Sequence, residues 1–122
     1  MFKLFALSAA VLGFLGVALG AFGAHGLKSR LGEDMLAVWQ TAVQYQFWHV
    51  LALLVVAILL KFGSSSLLNA AGWAFLAGIL LFSGSLYLLA FTGVKILGAI
   101  TPIGGLAFLV GWGCLVAFVI RS

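Results

Sequence analysis

Four runs of apolar residues without a single charged side chain dominate the chain, at approximately 4–24, 37–60, 71–92 and 99–120. A bilayer hydrocarbon core about 30 Å thick is crossed by roughly 20 residues of helix, so each run predicts one transmembrane helix. Helix punctuation bounds them. His25-Gly26 closes the first, Lys61-Phe62-Gly63 the second and Thr92-Gly93 the third, while Thr101-Pro102 suits a cap and first helical position for the fourth. The connections are short, which makes neighbouring helices antiparallel. The pattern predicts an all-α integral membrane protein: one domain over residues 1–122, with four antiparallel transmembrane helices and no linker or internal repeat.

Composition strengthens this picture. A chain of 122 residues that is 66% hydrophobic and 7% charged has more apolar surface than one small soluble core can hide. The first run follows Lys3 and ends in small residues, as a secretory signal does, but it is longer than a signal core and is read as a span. The six basic residues are scattered at the ends of the runs. They form no patch that follows a phosphate backbone, so no nucleic-acid partner is expected, and they suit interfacial anchoring. Four spans put Lys3, Lys61 and Arg121 on one side and Lys28, Arg30 and Lys95 on the other. With the basic residues so balanced, the positive-inside rule favours neither orientation.

Two features inside the spans stand out. In the first, Ala9, Gly13, Gly16, Gly20 and Gly23 repeat at alternating four- and three-residue spacings, with a GxxxG pair at Gly16 and Gly20. Such a stripe lets another helix approach closely. In the second, Gln40, Thr41, Gln44, Tyr45, Gln46 and His49 crowd the half before the apolar stretch 50–60. At about 100° per residue, Thr41, Gln44, Tyr45, Trp48 and His49 share one broad arc, with Gln46 to the side. Two readings stay open. Either Trp39, Tyr45 and Trp48 form an interfacial aromatic belt with the amides bonded to neighbouring helices, or the cluster lines a polar cavity. In both, Gln44, Tyr45 and His49 are expected to point inward, because an unpaired polar group facing hydrocarbon is costly. Candidate partners are His25, Ser83, Ser85, Tyr87 and Thr101. His49 is the residue on which any pH-sensitive behaviour would depend.

The remaining chemistry is sparse. Glu33 and Asp34, the two acidic residues, fall at the start of the second helix, where its dipole favours them. No carboxylate lies within a span, which argues against proton-coupled export and against hydrolysis by paired carboxylates. His25, His49 and Cys114 lack ligand spacing, so no metal or other cofactor is expected, and the lone Cys114 reads as a packing residue. Ser83 and Ser85 are expected to bond back to carbonyls of their own helix.

Taken together, Gly20-Ala-Phe-Gly-Ala-His-Gly26, Trp39-Gln-Thr-Ala-Val-Gln-Tyr-Gln46 with His49, Phe82-Ser-Gly-Ser-Leu-Tyr87, and Thr101-Pro-Ile-Gly-Gly105 with Gly111-Trp112 closely resemble one family. It is the YgdD/YwdK-like group of small bacterial membrane proteins, catalogued as domain of unknown function four-two-three and related to eukaryotic transmembrane protein two-five-six. The resemblance covers essentially the whole chain. It implies a four-helix, multi-pass protein of a bacterial inner membrane and carries no activity, substrate or catalytic residue.

The leading functional expectation is a non-enzymatic membrane protein acting through helix packing, as a homo-oligomer or as an accessory subunit beside another membrane protein in the lipid bilayer. The alternative is a channel or carrier for a small solute or ion, formed at an oligomer interface. An enzyme acting on lipid ranks behind both, because no nucleophile, base and orienting group fall at recognisable spacing.

Overall fold

Backbone groups inside a bilayer have no water to bond, so each apolar run satisfies its own groups as a helix. The computed structural model describes residues 1–122 and contains four such helices: α1 (Phe2–His25), α2 (Glu33–Lys61), α3 (Ser66–Thr92) and α4 (Leu97–Arg121). Each is long and apolar enough to cross a membrane, and no strand is present. The protein is an all-α membrane protein with four antiparallel spans and short loops.

The helices outrun the apolar runs that announce them. Glu33 and Asp34 form the first turn of α2 behind Gly32, and the Ser65 hydroxyl caps α3 by accepting from the Leu68 amide at 3.3 Å. At the far end of α3, Gly93 takes a left-handed conformation (φ 69°) that a side chain would strain. The expected start of the fourth helix needs correction. It begins at Leu97, and Pro102 lies inside it. The proline's missing N–H deprives only the Gly98 carbonyl of its donor in the helix's opening turns. Thr101 is therefore no cap; its hydroxyl bonds to Ser85 instead.

Packing order follows chain order. α2 contacts α1 and α3, and α3 contacts α4. The central pair is accordingly the more enclosed, with 39% and 33% of the most apolar windows of α2 and α3 buried against 17% in each flanking helix. In α2 the enclosed face is Trp39, Ala42, Gln46, His49, Leu53 and Val56, all buried. Their alternating three- and four-residue spacing is that of knobs-into-holes packing.

Lipid tails are as apolar as leucine, so these helices gain contact energy chiefly where they fit closely. Here the fit is built from rings resting on glycines. Phe5 of α1 lies over Gly72 of α3, Phe75 of α3 over Gly111 of α4, Phe108 of α4 over Gly78 of α3, and Trp39 of α2 over Gly23 of α1. The small-residue stripe of α1 faces α2: Gly13 lies against Val50, Gly16 against Phe47 and Gln46, and Gly20 against Val43, while Ala9 is buried in the core.

One helix is not regular. Between Gly78 and Gly84 the α3 backbone widens into a π turn, Ile79–Ser83. A Cβ on Gly104 of α4 would meet the backbone nitrogen and Cα of Phe82 in this turn.

Because backbone cannot yield as a flexible side chain does, Gly104→Ala is expected to destabilise the bundle by about 1–3 kcal/mol. Gly113→Ala, where nothing lies within 4 Å of the added carbon, is expected to be neutral. Thermal unfolding of both variants in mild detergent checks the pair; equal stability would mean that α3 and α4 do not approach at Gly104.

Candidate functional site

The polar side chains of the network extend from just past the middle of the bundle toward the loops 26–32 and 93–96. α2 carries the central members. Gln46 is buried, and its Nε2 donates to the Leu12 carbonyl of α1 at 2.7 Å while its Oε1 accepts from the Tyr87 hydroxyl of α3 at 2.5 Å. Gly16 leaves room beside this bond, since a Cβ there would lie 3.4 Å from the amide nitrogen and 3.0 Å from the Phe47 ring. One turn toward the surface, the Ser83 hydroxyl of α3 donates to the Ala42 carbonyl at 2.7 Å. Trp39 Nε1 donates to the Leu19 carbonyl of α1 at 2.9 Å, in the room left by Gly23.

His49 joins α2 to α4. Its Nδ1 lies 2.8 Å from the Tyr45 carbonyl, and its Nε2 lies 3.1 Å from the indole nitrogen of Trp112. A carbonyl only accepts and an indole only donates, so the proton is assigned to Nδ1 and Nε2 accepts. Both ring nitrogens are thus satisfied in the neutral form. The ring also stacks on Phe108, with centroids 3.5 Å apart. Between α3 and α4, Ser85 and Thr101 share a hydroxyl bond of 2.6 Å, and Ser85 also bonds back to the Phe82 carbonyl at 2.9 Å. Every neighbouring pair of helices is therefore joined by at least one buried or half-buried hydrogen bond.

Of the residues expected in the polar cluster, the structure brings Tyr45, His49, Ser83, Ser85, Tyr87 and Thr101 into or beside this network. Tyr45 packs against Phe82 at a tilt and contributes its carbonyl. Thr41 is half-buried and makes none of these bonds. Two residues lie elsewhere. His25 is exposed at the end of α1, and Gln44 is exposed on the outer side of α2. The inward orientation expected for Gln44 is wrong, because the enclosed face of α2 is set by Ala42, Leu53 and Val56 rather than by the polar residues. Gln46 lies on that face and Gln44 about 160° away from it. Gln46, Trp39 and Trp112, outside the expected set, are members. The 39-42-46-49-53-56 spacing is the signal in the sequence that points to the first two.

A groove of about 560 Å³ opens between α2 and α4, lined by Tyr45, Trp48, His49, Phe82, Phe108 and Trp112 among others. Its walls are almost wholly apolar. No group of three or more His, Cys, Asp or Glu side chains converges anywhere in the chain.

Residues 19–105 match the family model described as "Protein of unknown function (DUF423)". That stretch holds every side chain of the network except Trp112. The chain is similar to UPF0382 membrane protein YwdK of Bacillus subtilis (strain 168), 48% identical over 120 residues that make up 98% of each protein. It is also similar to UPF0382 membrane proteins of Staphylococcus aureus (strain bovine RF122 / ET3-1), 47% identical, and Staphylococcus epidermidis (strain ATCC 12228), 48% identical, each over 115 residues and 93% of both chains. No solved structure matches.

The geometry separates two glutamines two residues apart. Gln46→Leu is expected to cost about 1–2 kcal/mol of stability, since two interhelical bonds are lost at once, and Tyr87→Phe about 0.5–1.5 kcal/mol. Gln44→Leu is expected to leave the stability of the single chain unchanged. Reversible unfolding in detergent, run as a double-mutant cycle on Gln46 and Tyr87, gives the coupling; strictly additive losses would mean that the two side chains do not bond.

Proposed function

The chain belongs to the DUF423 family of bacterial membrane proteins, and we propose that it works there by helix–helix contact, without catalysing a reaction, in the inner (plasma) membrane. One observation carries this reading. Polar side chains that could have lined a path through the bundle instead bond to facing helices: Gln46 to the Leu12 carbonyl and to Tyr87, Ser83 to the Ala42 carbonyl, Ser85 to Thr101, His49 to Trp112. A conducting or catalytic site keeps polar groups free to face a substrate. These are bound to neighbouring helices, which favours a rigid element that presents an outer surface to other helices.

A second reading, passage of a small solute or ion at an interface between copies, draws on Gln40 and Gln44. Both face outward from α2, where they line a groove with Gly20, Gly23 and Ala24 of α1.

Reconstitution of the purified chain into liposomes separates the two. Flux of protons, potassium and small neutral solutes is expected to equal that of protein-free liposomes at every pH from acid to neutral. Flux above that background, abolished by Gln44→Leu or by His49→Gln, would replace the contact reading with conduction.

A further inference from the structure

A primary amide inside hydrocarbon needs a partner, and Gln40 and Gln44 of α2 find none within the chain. α2 runs from Glu33 to Lys61, so residue 47 marks its midpoint. At about 1.5 Å per residue, Gln44 lies about 5 Å from that midpoint and Gln40 about 10 Å, both inside a hydrocarbon half-thickness of about 15 Å. Gln46, at nearly the depth of Gln44, is buried and bonded through both ends of its amide. Gln40 and Gln44 are exposed, and no group of the chain donates to them or accepts from them through their side chains. They lie one turn apart at the same edge of α2. Beside them is a groove of about 320 Å³ whose far wall, Gly20, Gly23 and Ala24, has almost no side chain.

We infer that this edge is the contact surface between two copies of the chain, oriented the same way in the membrane and related by a two-fold axis along the membrane normal, with Gln44 pairing to the Gln44 of the other copy. The inference rests on the contact reading above and deepens it by naming the surface and the partner. A second copy fits the chemistry. The amide is both donor and acceptor, so a two-fold that brings the same residue from each copy together makes two reciprocal N–H···O bonds, as an isologous interface requires. Lipid tails offer neither donor nor acceptor at this depth. The bare α1 wall allows the partner's α2 to approach closely. Orientation follows from depth. In an antiparallel pair the two Gln44 backbones, each about 5 Å off the midplane, would be separated by about 10 Å along the normal, whereas a parallel pair sets both amides at one depth. Of the glycine stripe, Gly13 and Gly16 take no part, since Val50 and Phe47 of the same chain already cover them, and only its end at Gly20 and Gly23 reaches the groove.

The test uses the full chain in native membranes with Cys114→Ala as background. A short thiol crosslinker is expected to join two Gln44→Cys chains efficiently and to leave Leu109→Cys chains, exposed on the opposite groove, single. In liposomes, Gln40→Leu with Gln44→Leu is expected to lower the dimer fraction at low protein density by about tenfold while the single chain keeps its thermal stability. Ala24→Leu, which fills the groove while leaving both glutamines in place, is expected to lower it as well. Equal crosslinking at positions 44 and 109, crosslinking of Gln44→Cys only to a different membrane protein, or an unchanged dimer fraction in the double leucine variant would each overturn the inference. A chain that stays single and carries no flux would overturn the dimer alone and leave the contact reading standing.

Discussion

Helices already inside a bilayer have no water to escape from, and this bundle is organised by that constraint. Burying one more leucine gains little when the alternative neighbour is a lipid tail. What remains is close dispersion contact and hydrogen bonding, and the chain supplies both. Rings of Phe5, Phe75, Phe108 and Trp39 rest on glycines of the facing helices, where any Cβ would collide. Amide, hydroxyl, indole and imidazole groups bond α2 to each of the other helices and α3 to α4. The two devices meet at α1: Gly16 and Gly23 leave room beside the bonds by which Gln46 and Trp39 reach its carbonyls.

The bundle is unequal along the membrane normal. Toward the loops 26–32 and 93–96 it is stitched by hydrogen bonds and sealed by Leu27, Trp39 and Ala90, with Phe22, Tyr87 and Phe91 around the indole. Toward the termini and the Ser64–Ser66 connection it is held chiefly by apolar side chains, among them Phe5, Leu53, Val56, Leu68, Ala71 and Phe75. Hydrogen bonds have preferred angles and fix rotation and depth, whereas apolar contacts tolerate small slides. The loop half therefore defines the register of the helices, and the terminal half fills the space that register leaves.

Much of this is legible in the residues. Absence of charge over four long runs gives the spans, and Thr92-Gly93 gives the end of α3. The glycine spacing of α1 points to a close-packed face, although not to which helix covers it. The site is only partly legible, for a specific reason. The cost of an unpaired amide in hydrocarbon suggests that polar residues mark the inward side of α2, yet an inward face in a membrane is marked by whatever fits a neighbour, and Ala42 and Val56 fit better than Gln44. Two glutamines of identical chemistry thus fall on opposite sides of one helix. Thr101-Pro102 misleads in another way: proline is favoured in the first turn of a helix but is also tolerated slightly deeper, where only the Gly98 carbonyl loses a partner.

The π turn in α3 sets which side chains that helix offers. Before it, the buried positions run Leu68, Gly72, Phe75 and Ile79. After it, the buried positions are Ser83, Ser85, Leu86 and Ala90, with Phe82 and Leu89 half-buried. A hydroxyl meets the Ala42 carbonyl, and a methyl packs in the cluster of Trp39. Phe82, at the widest part of the turn, lies instead against Gly104 of α4. Before the turn α3 offers its neighbours branched chains and a ring; past it, hydroxyls and a methyl. The turn is where one helix changes the kind of contact it makes, from filling space to fixing position.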